Sequence, residues 1–337
     1  MRSSVRSIAT VLMGVLVCLF LLNALGGRDP PAETPKHLYY NPSNFPIRDV
    51  CRVDPLSVEL ATLHQSSQEA AAAVEAECMD VTEEQLSRCK VPPVLHLVLG
   101  YPGKFDFYSY VSVKSAHDRM KPDSIFMHVF GQRFDPPPYL QRAIKEFGII
   151  LVSARDVREV QGRPVDVVEH RSDVVRLESL IRFGGIYMDL DAFVLQPLDV
   201  FYDNELTMGA EDVAGVNNGF IIAKRCSRFL RNWYAEYKSF DDSKWGEHSI
   251  LLPKKLAAIN PELIRVEQDT IQSDFTDTFE RLWSEKFEEA YWRPVRAVHS
   301  FIRLAETRYD EESIKNVTNN FGTMVGRIMA GKPGMMD

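Results

Sequence analysis

The sequence predicts an α/β domain built on a mainly parallel central sheet, and three observations lead there. Short apolar runs bounded by turn residues recur at Val94–Gly100, Ser124–Phe130 and Gly148–Ala154. Uninterrupted apolar runs of that length suit strands buried on both faces. Helix-forming stretches separate them, so strand and helix alternate along the chain. The third observation is the stretch GGIYMDLDAFVLQPLD, Gly184 to Asp199, in which another apolar run ends in two aspartates held one residue apart. Ligands of parallel sheets bind beyond the carboxyl ends of the strands, which is where that pair falls.

The N-terminal segment is read first. Arg2 and Arg6 precede an almost unbroken apolar run from Ile8 to Leu25. Roughly 17–25 apolar residues span a bilayer, whereas a cleaved signal has an apolar core of about 7–15. Basic residues before the run and few after it put the N-terminus in the cytoplasm. Residues 1–7 are therefore expected as a cytoplasmic tail and 8–25 as a signal-anchor transmembrane helix; a cleaved signal is the other reading, and both send the rest into the secretory lumen. Residues 26–91 form a lumenal stem: prolines and small polar residues to about Pro46, then helix formers with a thin apolar face. A folded domain follows over 92–310, and 311–337 is set apart as a C-terminal tail, disordered or membrane-adjacent. Cys51, Cys78, Cys89 and Cys226 lie beyond the anchor. In an oxidising compartment four cysteines allow three pairings, with Cys78–Cys89 the local option and free thiols the other. Asn316-Val317-Thr318 is a glycosylation sequon.

Within the domain a helix is expected around Tyr108–Met120. In PPYLQRAIKEF, Leu140, Ile144 and Phe147 fall on one helix face. In HRSDVVRLESLIRFGG, Val174, Leu177 and Ile181 do the same, and Gly184-Gly185 stops the helix and turns the chain. IYMD then reads as a strand and DLDAF as its exit. Residues i and i+2 of an extended segment point to one side, so Asp189 and Asp191 should converge. Two hard carboxylates together suit an oxygen-seeking dication, Mn²⁺ or Mg²⁺, that completes its shell with phosphate oxygens and water. By itself D-x-D is also an ordinary acidic turn. The net charge of -8, with no clustered Lys/Arg stripe, argues against a nucleic-acid surface.

The block HRSDVVRLESLIRFGGIYMDLDAFVLQPLD resembles the core of the DXD sugar-binding glycosyltransferases, the family of α-1,4-galactosyl-, α-1,4-N-acetylglucosaminyl- and initiating α-1,6-mannosyltransferases. Ser172-Asp173, Arg176, Gly184-Gly185-Ile186-Tyr187 and Asp189/Asp191 carry the resemblance. VPPVLHLVLG, which includes His96, is similar to the family's opening strand. NNGFIIAK (Asn217–Lys224) and VRAVHSF (Val295–Phe301) are similar to later blocks. The resemblance covers about Pro92 to Ser300 and implies a GT-A-like nucleotide-diphospho-sugar-binding fold with residues 92–310 as the catalytic domain. It further implies a type II Golgi membrane enzyme with its catalytic domain in the lumen. Such an enzyme takes a UDP- or GDP-sugar donor, acts on a glycan, glycolipid or glycoprotein acceptor, and retains anomeric configuration.

The resemblance also implies roles. Asp189 and Asp191 are the catalytic pair and, with His299, the metal ligands. His96, Asp173, Arg176, Gly185, Tyr187, Asn217 and Asn218 are expected around the donor. Asp173 and Arg176 also share a helix face and read equally as an intrahelical ion pair; His299 reads equally as a structural histidine. In WGEHSILLPKKL the chain departs from members that carry Gly-Pro there, so Glu247 and His248 stand as acceptor-side candidates beside the reading of a plain loop.

Two other functions fit some of these residues. A haloacid-dehalogenase-type phosphatase also places D-x-D after an apolar strand, the first Asp attacking phosphorus. That motif wants Thr or Val where Phe193 stands and opens its domain, whereas here about three strand–helix units precede it; Asp241-Asp242 would be its downstream acids. A lumenal inactive relative would bind nucleotide or glycan without turnover, against which the intact Asp189, Asp191 and Gly184-Gly185 speak.

Overall fold

The computed structural model describes Cys51 and residues 67–101, 104–130, 134–211, 215–305 and 307–336. The expected tail (1–7) and signal-anchor (8–25) lie outside the described residues. Among those described, no helix is long and apolar enough to cross a membrane.

In chain order the structure begins with α1 (Ser67–Cys78) and α2 (Glu83–Arg88), then alternates β1 (Val94–Leu99), α3 (Phe107–Met120), β2 (Ser124–Val129), α4 (Pro138–Phe147) and β3 (Ile149–Ser153). A small hairpin, β4 (Glu159–Val160) with β5 (Arg163–Pro164), leads to the long helix α5 (Val168–Phe183), β6 (Gly185–Met188) and β7 (Ala192–Val194). Next come β8 (Leu206–Glu211), β9 (Gly215–Ala223), α6 (Arg228–Ala235) and α7 (Leu252–Ile259). The chain finishes with β10 (Arg265–Glu267), β11 (Ile271–Gln272), α8 (Phe275–Trp283), α9 (Glu289–Trp292), β12 (Ala297–His299) and α10 (Asn320–Met329).

The central sheet has seven strands in the order β10-β8-β9-β6-β1-β2-β3. Strands β6, β1, β2 and β3 run parallel, in the registers Leu95↔Ile186, Leu95↔Ile125 and Ile125↔Ile149. β9 is antiparallel to both β6 and β8, and β10 returns parallel to β8. The sheet is therefore mainly parallel and the class α/β, as expected. β1 and β2 are buried along their whole length because helices cover both faces, which is why they read as unbroken apolar runs.

Local signals set the element ends. Asp106 caps α3 by accepting the Ser109 amide at 3.0 Å, and Pro138 opens α4 while Gly148 closes it in the left-handed region. At the end of α5 the backbone takes φ +66° at Gly184 and +106° at Gly185. A Cβ at Gly184 would stand 2.5 Å from the Arg225 amide nitrogen, and one at Gly185 would stand 2.5 Å from the Val94 carbonyl oxygen. Only glycine fits both the conformation and the approach. This turn aims β6, and hence Asp189, at the carboxyl edge of the sheet.

Several expectations need correction. The disulfides are Cys51–Cys89 and Cys78–Cys226, not Cys78–Cys89. Cys78 ends α1, whose Val74 shares an apolar cluster with Val174, Leu177 and Ile181 of α5, so the partner in reach of Cys78 is the buried Cys226 just before α6. The helical part of the stem thus packs on the domain. At the other end, Phe321, Met324, Val325 and Ile328 form the inner face of α10 and are buried in the main core. Phe321 stacks on Trp283 of α8 at 4.7 Å and meets Phe193 of β7 edge-on at 6.0 Å. Residues set apart as a tail therefore complete the core directly beneath the D-x-D turn.

Candidate active site

β6 delivers Tyr187 and ends at Asp189. The chain then turns through Leu190 and Asp191, with the Ala192 amide donating to the Asp189 carbonyl at 2.9 Å, before β7 begins. The two carboxylates converge through this turn rather than through the alternation of an extended strand. β12 lies antiparallel to β7 with His299 opposite Ala192. The Ser300 amide and hydroxyl donate to the Asp191 carbonyl at 3.0 and 2.8 Å and lock the approach. His299 Nε2 consequently stands 3.1 Å from Asp191 Oδ1 and 3.7 Å from Asp189 Oδ2.

One ligand atom each from Asp189, Asp191 and His299 lie within 4.8 Å of one another. Burial opposes charge on Asp191 and His299, but the two facing charges overcome it, holding the Asp191 carboxyl below its ordinary range and raising the imidazole. Two hard oxygens and one imidazole nitrogen fit a divalent cation. Gly219 makes this clustering possible. A Cβ there would stand 2.8 Å from each of Asn217 Oδ1, Asp189 Oδ2 and His299 Cε1. Sequence reading missed Gly219; the small residue after two asparagines in NNGF was the signal.

Arg176 of α5 braces the pair from behind. Its guanidinium lies 3.2 Å from Asp173 Oδ1 and 3.4 Å from Asp189 Oδ1, donates to the Asn218 carbonyl at 2.8 Å and covers the Tyr187 ring at 4.3 Å. Burial disfavours its charge, yet the Tyr187, Asp189 and Asp173 groups outweigh that and raise its pKa. Tyr187 donates its hydroxyl to Asp189 Oδ1 at 2.5 Å, and Asn218 Nδ2 donates to Asp173 at 2.7 Å. Burial raises the Asp173 pKa despite Arg176. Asn217 Nδ2 donates to Glu211 at 2.5 Å, while its carbonyl accepts the Gly219 amide at 2.7 Å.

A cavity of about 910 Å³ opens over this network, and Asp173, Arg176, Tyr187, Asp189, Asp191, Asn217, Asn218 and His299 all line it. Four expected site residues do not. His96 is fully buried within the sheet, 3.1 Å from the Gly184 carbonyl and 3.1 Å from His128 Nε2, stacked among Phe126 and Phe183. Gly185 serves the turn described above. Glu247 is paired with Lys255 at 3.0 Å, and His248 is buried against Tyr237 and Phe240. Their neighbours Trp245, Ser249 and Ile250 line the cavity instead, as do Lys104, Arg303 and Arg308, none of which the sequence singled out.

Residues 151–210, which hold α5, the double-glycine turn and the aspartate pair, match the family described as glycosyltransferase sugar-binding region containing DXD motif. The chain therefore carries the DXD sugar-binding region of the glycosyltransferases. A curated relative, Glucan organizing enzyme 1 of Cryptococcus neoformans var. grubii, is 30% identical over 194 residues, covering 52% of this chain and 52% of its own. The chain thus spans about half the length of that relative. Among solved structures it is similar to the apo-form glycosyltransferase GlyE of Streptococcus pneumoniae, at 10% identity and TM-score 0.41, over 73% of this chain and 66% of that one. It is also similar to the galactosyltransferase LgtC in complex with donor and acceptor sugar analogues, at 13% identity and TM-score 0.38, over 69% of this chain and 95% of that one.

Proposed function

We propose that this protein is a metal-dependent glycosyltransferase that moves a sugar from a nucleoside-diphospho-sugar to a hydroxyl of a glycan, glycolipid or glycoprotein. The observation that carries the proposal is the convergence of Asp189, Asp191 and His299 in the wall of a cavity whose 910 Å³ lies within the roughly 300–1,000 Å³ of ligand pockets. Asp189, Asp191 and His299 would hold Mn²⁺ or Mg²⁺. When bound, that ion supplies Lewis-acid neutralisation of the charge that builds on a departing diphosphate.

The chain's own residues account for the remainder. Transfer breaks the bond from the sugar's anomeric carbon to phosphate, the electron pair leaving with the nucleoside diphosphate. It forms a new bond to the acceptor oxygen, whose proton is released. Lys104, Arg303 and Arg308 in the cavity wall give the anionic donor a positive approach. Arg176 pairs with Asp173 and Asp189 and holds both carboxyl groups in place, so their oxygens can orient sugar hydroxyls without reorganising during the reaction. Asn218 fixes the Asp173 carboxylate in the same way.

Retention of configuration rests on the family resemblance alone. A type II topology rests on the apolar run at 8–25 and the Golgi compartment on the family resemblance, and the two disulfides support a lumenal catalytic domain because such bonds persist in oxidising compartments. The relative's name points to glucan as the first acceptor class to try. The test is release of nucleoside diphosphate from a panel of UDP- and GDP-sugars, with Mn²⁺ or with chelator. Release from one donor that chelator abolishes is the expected result. Tight donor binding with no turnover under any acceptor would instead make the protein an inactive relative.

A further inference from the structure

The cavity has a second polar centre that the donor reading leaves unused. His170 opens α5, three residues before Asp173, and lines the same cavity. Its side chain is 4% exposed, with Nδ1 2.8 Å from Asp242 Oδ1. Asp242 Oδ2 already accepts the amides of Asp166 and Val167 at 3.0 and 3.2 Å. A carboxylate held this way accepts a hydrogen bond from Nδ1–H, and in that tautomer the lone pair lies at Nε2. That nitrogen is buried and has no hydrogen-bond partner among the described residues. An unpaired buried polar atom costs about 1–3 kcal/mol, which a ligand that pairs it recovers.

Trp245 lies against this imidazole at 5.4 Å between ring centres. It is half exposed, stands in the cavity wall, and comes from the irregular stretch between α6 and α7. The Arg303 guanidinium stands 5.6 Å over the same ring, and a half-exposed indole beside a hydrogen-bond acceptor matches a pyranose ring, which has an apolar C–H face and hydroxyls at its edge. His170 lies about 4.5 Å further along the α5 axis than Asp173, roughly one sugar ring away from the donor-side carboxylates.

We propose that His170, oriented by Asp242, and Trp245 form the acceptor-sugar subsite, the indole stacking on the ring and Nε2 accepting a hydrogen bond from one of its hydroxyls. This rests on the transferase reading of the cavity and assigns the acceptor side to residues other than Glu247 and His248. Asp242 is a positioning residue: it fixes the tautomer and does not touch the sugar.

The test titrates the full-length chain, with Mn²⁺ and nucleoside diphosphate present, against methyl glycosides of glucose, galactose, mannose and N-acetylglucosamine and their disaccharides, followed by saturation-transfer NMR. At least one should bind. His170→Asn keeps a donor for Asp242 but removes the Nε2 acceptor, and should weaken binding about tenfold with an unchanged melting temperature. His170→Gln, whose amide oxygen reaches nearer the Nε2 position, should weaken it less, and Trp245→Ala should abolish it. Undiminished sugar binding by His170→Asn, or nucleotide binding with no sugar bound from the panel, overturns the subsite. Failure to bind any nucleotide or sugar would bring down the transferase reading itself and this subsite with it.

Discussion

His299 Nε2 and Asp191 Oδ1 stand 3.1 Å apart although 108 positions separate them in the chain. The contact exists because β12 pairs with β7, the strand that leaves the D-x-D turn. One local motif and one distant residue thus become a single ligand set.

Asp191→Asn removes a charged ligand oxygen while keeping size and shape. Donor turnover should fall at least about a hundredfold, the scale of losing a main stabilising group at a reacting centre. Circular dichroism should show an intact fold, and Mn²⁺ titration should show lost binding. Near-normal metal-dependent turnover in this variant would refute the site.

Gly219→Ala places a methyl group 2.8 Å from Asp189 Oδ2 and from His299 Cε1. The His299 and Asp189 side chains must give way, so metal affinity should drop about tenfold, the scale of disturbing the groups that orient metal ligands. Isothermal titration with Mn²⁺ measures it. The melting temperature should change far less than for Gly185→Ala, whose Cβ would strike backbone in a conformation that already strains any other residue.

The buried histidines make stability depend on pH. Burial lowers the His96 pKa to about 4, against a smaller opposing effect of the Gly184 carbonyl, and burial with the neighbouring His96 pushes His128 well below its ordinary value. The unfolded chain therefore takes up protons near 6.5 while the folded one does not, so stability rises with pH across this window. It should be full above about pH 6.5 and fall progressively toward pH 4, with His96 alone contributing about 3 kcal/mol at 1.36 kcal/mol per unit. Ring resonances followed by NMR should show His96 neutral down to about pH 4; protonation near 6.5 in the folded state would contradict the account.

Replacing Cys78 and Cys226 together with alanine opens a link between positions 148 apart in sequence. The loss should be about 2–5 kcal/mol, read from urea denaturation, and α1 should become the first site of proteolytic cleavage. Equal protease resistance with and without the bond would mean that packing of Val74 on α5 holds the helix alone.

Much of this protein was legible in one continuous stretch. From His170 to Asp199 the helix face, the double-glycine stop, the strand and the acidic exit follow one another, and each is encoded by near neighbours: periodicity, a φ that only glycine adopts easily, and turn chemistry. The strands β1, β2 and β3 were legible for the same reason, since burial on both faces leaves an unbroken apolar run. His96 shows the limit. A histidine inside an apolar run looks the same in sequence whether it faces a ligand or a neighbouring ring, and here it is enclosed by Phe126, His128 and Phe183.

The sequence by itself determined the α/β alternation, the place of Asp189 and Asp191 at the exit of a strand, and the helix face that Asp173 and Arg176 share. Tertiary structure alone decided the disulfide partners, the packing of α10 beneath Phe193, the clearance at Gly219, and the meeting of His170 with Asp242 across 72 positions. The physical reason is common to all four. Local sequence fixes which face of an element is apolar, but which faces meet depends on pairing strands and helices far apart in the chain, and no local pattern records that choice.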